Sequence, residues 1–225
     1  MAMIVFVLPL PSASAGAATL AASDTASAAA RACGFFMVDP FCRPFDPPAQ
    51  TRTSVEIEAL IRAIPDFPIP GILFRDITPL LRDKQGFRRA IDLFVERFND
   101  RGIDYVVGVE ARGYILAAPI AYAIGAGFIP VRKPGKLPRE KLHEEYALEY
   151  GTNSLEIHSD AIAQGQRVLV VDDLLATGGT AAATGRLLER LGARVEAFAF
   201  LVELSALQGR KLLGDAEVVS FVAYP

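Results

Sequence analysis

Past residue 52 the apolar positions of the chain fall into two spacings. In one, they recur every three to four residues. The stretch TSVEIEALIRAI (53–64) opens on a Ser/Thr cap candidate and places Val55, Ile57, Leu60, Ile61 and Ile64 at that spacing, which predicts a helix. DKQGFRRAIDLFVERFNDRG (83–102) predicts an amphipathic helix stopped by Gly102, and YILAAPIAYAIG (114–125) and TAAATGRLLERLG (180–192) predict two more. In the other spacing the apolar residues run together: IDYVVGV (103–109), GFIPVRK (127–133), QRVLVVDD (166–173), ARVEAFAFLVEL (193–204) and EVVSFVAY (217–224). Such short runs, without period-two polarity, predict strands buried on both faces. Strands alternating with helices predict an α/β fold, a parallel sheet with helices on its faces. Two segments fit neither spacing. PDFPIPGILFRDITPLL (65–81) is punctuated by proline and is expected to be a loop, and PGKLPREKLHEEYALEYG (134–151) is a charged run.

The first fifty residues change the picture of organisation. MAMIVFVLPLPSASAGAATLAASDTASAAARA is apolar and then Ala/Ser-rich, with almost no charge, and FCRPFDPPAQ (41–50) is proline-rich. No basic region precedes the apolar start, and a transit peptide would carry more arginine. Residues 1–52 are expected to be a disordered low-complexity extension rather than a targeting signal, and 53–225 the folded domain. The 225-residue chain is 52% hydrophobic, so it is not largely disordered. Its net charge of −3 argues against an extended nucleic-acid surface, and no apolar run reaches membrane-spanning length. Cys33 and Cys42 and the two histidines, His143 and His158, have no metal-ligand spacing, and the thiols are expected to be unpaired in a reducing compartment.

The chemistry concentrates in VLVVDDLLATGGTAAA (168–183). A buried strand ends in Asp172 and Asp173, followed by Ala176-Thr177-Gly178-Gly179-Thr180 and a helix. In an open parallel sheet, ligands bind beyond the carboxyl ends of the strands. Glycines let the loop bend tightly and expose amides, and the helix N-terminus adds its dipole, so the loop is an anion cradle suited to a phosphate monoester. Carboxylates repel phosphate, and are better placed on ribose hydroxyls or a hydrated divalent cation. The ligand therefore reads as a ribose phosphate. There is no G-x-x-x-x-G-K-[ST] and no G-x-G-x-x-G, so a Walker loop and a dinucleotide fingerprint are excluded. On the second strand-to-helix loop, EARG (110–113), Arg112 is a diphosphate-binding candidate at a helix N-terminus.

These residues resemble the type I phosphoribosyltransferases. Within them PDFPIPGILFRDITPLL, EARGY, RKPGKLPRE and LEYGTNSLEIH closely resemble the adenine phosphoribosyltransferase family, in the same order and from about Val55 to Tyr224. The resemblance implies the parallel-sheet fold with a mobile lid loop and a small N-terminal hood, transfer of a phosphoribosyl group from phosphoribosyl pyrophosphate to adenine, a homodimer, and cytoplasmic purine salvage. It implies Mg2+ as cofactor, held through the substrate and water rather than by a direct protein ligand. It places the ribose phosphate on Asp172, Asp173, Ala176, Thr177, Gly178, Gly179 and Thr180, and the pyrophosphate on Arg112, Lys133 and Lys136. A non-proline cis peptide is expected at Glu110-Ala111. The charged run becomes the lid, excluding water from an oxocarbenium-like centre, with Glu149 and Tyr150 matching the catalytic Glu-Tyr pair. Adenine is expected to stack on Phe74, to be read along its edge near Leu73 and Arg75, and to meet Leu204 on its other side. Relatives acting on 6-oxopurines usually carry a carboxylate at the position of Ala176, so the departure favours adenine over hypoxanthine or guanine.

Two other readings were weighed. A phosphoribosyltransferase-fold transcriptional regulator would usually add a DNA-binding domain, but the first fifty residues have no helix-turn-helix pattern and little basic charge. An enzyme acting on another purine is the runner-up. The composition break generates a test. Deletion of residues 1–50 is expected to leave the turnover implied by the resemblance intact, and a truncated protein that folds but loses most of its activity would contradict it.

Overall fold

The computed structural model describes residues 56–147 and 152–225. A 3-10 turn, Ile57–Leu60, leads into strand β1 (Arg62–Pro65), which pairs antiparallel with β2 (Leu73–Asp76). Helices α1 (Thr78–Arg82) and α2 (Lys84–Phe98) follow, and then a 3-10 turn, Asn99–Arg101. Strand β3 (Tyr105–Val109), helix α3 (Arg112–Ile124) and strand β4 (Gly127–Val131) form the first half of the core. A hairpin of β5 (Lys141–Ala147) and β6 (Thr152–His158) intervenes. Strand β7 (Arg167–Leu175), helix α4 (Gly179–Arg190), strand β8 (Arg194–Leu204), two 3-10 turns (Ser205–Leu207 and Gly209–Leu213) and strand β9 (Val218–Tyr224) complete the domain.

The core is a five-stranded sheet in the order β4-β3-β7-β8-β9, parallel at every pairing. Alternate residues of each strand feed two apolar layers. Val106, Leu169, Val171, Ala197, Ala199 and Leu201 pack with Phe94 and Phe98 of α2 and Leu116 and Ile120 of α3. Val107, Val168, Val170, Phe198 and Phe200 pack with Ala183, Leu187 and Leu188 of α4 and with Leu155 and Ile157 of β6. Burial on both faces is why the five core strands read as unbroken apolar runs. The stop at Gly102 is as expected, and the structure adds the cap at the other end. Asp83 caps α2 by accepting from the amides of Gln85 (3.0 Å) and Gly86 (2.7 Å), and Gly102 follows in the left-handed conformation at φ 61°.

Three expectations are corrected. The helix expected over 53–64 is a single 3-10 turn followed by β1, residues 53–55 lying outside the described ones. Ile57 and Ile61 do reach the core, but the residues after them pair with β2 (Ile64 opposite Phe74), and that long-range pairing overrides a short helical spacing. The loop expected over 65–81 contains β2 and α1. Asp76 accepts from the Thr78 amide and hydroxyl, both at 2.9 Å, which fixes the entry to α1 and holds the Asp76 carboxyl below its usual pKa. The charged run 134–151, expected as a lid loop, contains β5, which pairs with β6 beyond the undescribed 148–151. Its inward positions on β5 are Leu142, Glu144 and Tyr146, and the charge of Glu144 hid that alternation. Glu144 faces Arg186 (2.6 Å) and Arg190 (3.2 Å) of α4, which dock the hairpin and hold its carboxyl below its usual pKa.

Candidate active site

Strand order reverses between β3 and β7. From β3 the chain crosses through α3 to β4 on one side, and from β7 it crosses through α4 to β8 on the other. The two helices lie on opposite faces of the sheet, so their first turns diverge and leave a crevice at the strand ends. Both glycine-bearing loops open onto it.

On the β7 side, Asp172, Ala176, Thr177, Gly178, Gly179 and Thr180 line one concavity. Gly178 is at φ 84°, where a side chain would be strained, and it stands at the N-cap of α4 with nothing of its own to cap the first turn. The amides of that turn are left for a ligand, and α4 points its positive end into the hollow. The Thr180 hydroxyl donates to the Tyr146 hydroxyl at 3.2 Å, joining the loop to β5.

Asp172 and Asp173 stand side by side at the strand end. Asp173 is 4% exposed, whereas Asp172 keeps part of its surface in solvent. The Asp173 amide donates to Asp172 Oδ1 at 2.9 Å. Burial, with the neighbouring Asp173 charge, pushes the Asp172 carboxyl well above its usual pKa. Burial also raises Asp173, against the pull of Arg112. Arg112 Nε approaches Asp173 Oδ2 to 3.0 Å, yet that buried oxygen accepts no hydrogen bond. That oxygen is closed off from solvent against the Arg112 charge, so the acid that faces the hollow is its partly exposed neighbour Asp172. The close approach of the two loops needs Gly113. A Cβ there would lie 2.8 Å from Asp172 Oδ1 and 3.0 Å from the Val171 carbonyl oxygen.

On the β3 side the Glu110-Ala111 peptide is cis, as the resemblance implied. Burial opposes ionisation of Glu110, but the Arg132 guanidinium (3.1 Å) and the Lys133 amide (3.1 Å) outweigh it and hold the carboxyl below its usual pKa. Arg132 also donates to the Lys136 carbonyl (3.1 Å), and buried Glu156 accepts from the Gly135 amide (3.0 Å). Glu110 and Glu156 thus brace the 132–136 turn from within, while Lys133 and Lys136 stay exposed.

The residues expected at the base form one connected group. Phe74 is half-buried, packs edge-to-face on Phe67 at 5.1 Å and lies 5.5 Å from the Arg112 guanidinium. The Arg75 guanidinium stacks 3.6 Å from the centre of the Tyr224 ring, and Tyr224 is in register with half-buried Leu204. Leu73 is 48% exposed at the start of β2. Glu149 and Tyr150 lie outside the described residues. The sequence reading gave no site role to Glu156, Tyr146, Tyr224 or Arg132. Each acts by bracing a neighbour, and nothing in its local spacing signals that.

A family model for the phosphoribosyl transferase domain matches residues 76–221. The chain is 58% identical over 170 residues to an adenine phosphoribosyltransferase of Acaryochloris marina, covering 76% of this chain and 100% of that one. It is 59% identical over 168 residues to an adenine phosphoribosyltransferase of Anaeromyxobacter dehalogenans, covering 75% and 98%. The crystal structure of adenine phosphoribosyltransferase from Thermoanaerobacter pseudethanolicus superposes with a TM-score of 0.73 at 52% identity, over 75% of this chain and 98% of that one. The Saccharomyces cerevisiae adenine phosphoribosyltransferase, solved with an imino-altritol bisphosphate and adenine, gives a TM-score of 0.69 at 44% identity, over 72% and 94%.

The paired acids generate a stability prediction. A carboxyl whose pKa is raised by folding weakens the folded state once it ionises, so stability falls as pH rises from the ordinary aspartate range towards the raised value. Asp172→Asn removes that loss and keeps an oxygen to accept from the Asp173 amide. The unliganded variant is expected to melt above wild type at neutral pH, by about 2–4 °C for each kcal/mol relieved, with the gap closing near about pH 4. Equal or lower melting temperatures across that range would contradict it.

Proposed function

The chain belongs to the adenine phosphoribosyltransferases of the phosphoribosyl transferase domain family, and we propose that it joins adenine to the ribose of phosphoribosyl pyrophosphate, giving AMP and pyrophosphate in purine salvage. The observation that carries this reading is the pair of loops facing each other across the β3/β7 crevice. One is a phosphate cradle with two acids, and the other carries Arg112 beside the lysine-bearing turn.

Each group has a place in the transfer. The amides and hydroxyls of Ala176–Thr180 hold the 5-phosphate, and Asp172 and Asp173 accept from the ribose 2- and 3-hydroxyls. Both ends of the sugar are then fixed, leaving C1 facing the β3 loop. Arg112, Lys133 and Lys136 take the diphosphate charge as the C1–O bond breaks and adenine N9 bonds to C1. The sugar centre is cationic and the leaving group anionic in the transition state, so fixed cations on the diphosphate side favour bond cleavage. Phe74 gives the base a stacking face opposite Leu204. The edge of β2 that does not pair with β1 offers Leu73 and Arg75 backbone groups to the adenine rim. Because the Arg75 side chain is engaged by Tyr224, recognition at that position falls to its backbone. Glu149 accepts the proton that N9 loses, with Tyr150 beside it.

Two acids suit Mg2+ bound mainly to substrate oxygens and water, and no group of three or more potential ligands exists among the described residues. Asp172, which lines the hollow and keeps part of its surface in solvent, would accept from such hydration water. When bound, the ion neutralises diphosphate charge. The β1–β2 unit serves as the hood and the β5–β6 hairpin as the base of the lid. A homodimer, a cytoplasmic location and a catalytic unit spanning 53–225 complete the reading. The substrates are polyanionic or polar and are met where they are made.

Incubating the protein with phosphoribosyl pyrophosphate, Mg2+ and each of adenine, hypoxanthine, guanine and orotate tests this directly. AMP with stoichiometric pyrophosphate is expected from adenine. A preference for a 6-oxopurine overturns the base assignment, and no nucleotide from any base overturns the reading. Glu149→Gln is expected to lower kcat by about 10²–10⁴-fold with both Michaelis constants within a few-fold of wild type. A kcat near wild type across the pH range would remove Glu149 from its role.

A further inference from the structure

The turns joining β8 to β9 contribute no group to the chemistry above, yet the phosphate cradle rests on them. A Cβ built on Gly178 would lie 2.3 Å from the Gly209 carbonyl oxygen. One built on Gly209 would lie 2.3 Å from the Ala176 carbonyl oxygen and 2.9 Å from the Gly178 nitrogen. Backbone meets backbone here, with no side chain between. Any shift of Gly209 therefore passes directly to the residues that present their amides to a phosphate.

The position of Gly209 is set by the residue after it. Arg210 donates from Nε to Glu203 Oε1 (2.7 Å) and from Nη2 to Glu203 Oε2 (2.6 Å), a planar two-point pairing. Nη2 also donates to Ser220 Oγ (2.8 Å) and Nη1 to the Val218 carbonyl (2.8 Å). The Ser220 hydroxyl closes the ring by donating to Glu203 Oε2. The Glu203 side chain is 8% exposed and sits on β8, while Ser220 and Val218 belong to β9. An exposed ion pair contributes little and fixes little. This one has a buried carboxylate, both of its oxygens engaged and two core strands as its base, so it fixes a backbone position.

We propose that Glu203, Arg210 and Ser220 are positioning residues for the ribose-phosphate loop: they hold Gly209 against Ala176–Gly178 so that the loop keeps the curvature a phosphate monoester requires. The inference rests on the functional reading above, in that the loop's ligand is taken to be the 5-phosphate. It separates two classes of residue on β8. Glu203 serves the phosphate through Gly209, while its neighbour Leu204 faces the base, so damage to the cluster should fall on one substrate and not the other.

The test uses the full-length chain with Arg210→Lys, Glu203→Gln and Gly209→Ala. Lysine keeps the charge but loses the two-point geometry. Glutamine keeps the shape of the carboxylate and loses its charge. Alanine leaves the cluster intact and disturbs only the contact it supports. For each, the Michaelis constants for phosphoribosyl pyrophosphate and adenine are measured, together with ribose 5-phosphate affinity by calorimetry and melting temperature. All three are expected to raise the phosphoribosyl pyrophosphate constant and weaken ribose 5-phosphate by about 10–100-fold, as small displacements of a binding frame do. The adenine constant should stay within a few-fold. Ribose 5-phosphate affinity is read without adenine, so it judges the cluster even if wild type turns out to use another base. Folded variants with unchanged ribose 5-phosphate affinity, or with equal losses for both substrates, overturn the proposal. Failure of all three to fold overturns it too, since the cluster would then be a determinant of the fold.

Discussion

Two carboxylates at the end of a strand buried on both faces repel each other and lose water together, and β7 accepts both costs at Asp172 and Asp173. Every other part of the crevice is arranged around keeping them there. The positive side chain of Arg112 reaches across from α3 to Asp173, and the bare Cα of Gly113 lets α3 come close enough for it to do so. The positive end of α4 lies on the other side. None of these gives Asp173 Oδ2 a hydrogen bond. Asp173 is therefore held by the Arg112 charge, and Asp172 is the acid left open to the hollow.

The loops around that strand end share one device: each is braced from behind by groups of another segment. Glu110 and Glu156 hold the lysine-bearing turn from inside, leaving Lys133 and Lys136 turned outward. The phosphate loop leans on Gly209, and Arg75 leans on Tyr224. Lys133 and Lys136 carry like charges on one short turn, and the acids beneath that turn fix its backbone. This is electrostatic preorganisation achieved with ordinary ion pairs.

The legibility of the sequence follows from where each interaction is closed. The core strands and the helices α2, α3 and α4 were legible because burial writes a local period into the chain, and the Asp-Asp and Gly-Gly steps were legible because the loop chemistry is contiguous. The strands β1 and β2 were not. Their pairing crosses a proline-rich loop, and the helical spacing over 53–64 competes with it. The hairpin β5–β6 was hidden because one of its inward positions is Glu144, an acid satisfied by arginines more than forty positions later. The same holds for Glu203, Arg210 and Ser220. Three polar residues on two strands and a turn have no periodic signature, and only the folded sheet brings them into one plane. Glu149 and Tyr150 came from family resemblance alone, as their local pattern is that of a solvated loop.

The hairpin shows how the two halves of the reaction are joined mechanically. Glu144 fastens β5 to Arg186 and Arg190, one helical turn apart on α4, and the Arg190 guanidinium also holds the His143 carbonyl at 2.7 Å. Near the other end of β5, the Tyr146 hydroxyl accepts from Thr180, the first-turn hydroxyl of the same helix. The arm that leads to Glu149 and Tyr150 is thus anchored at two points on the helix whose N-terminus forms the phosphate cradle. A phosphate that draws on the Thr180 hydroxyl competes with Tyr146 for it. Loss of that contact would reach β5 at Tyr146, whereas the Glu144 anchor lies further along α4 and keeps both of its arginines.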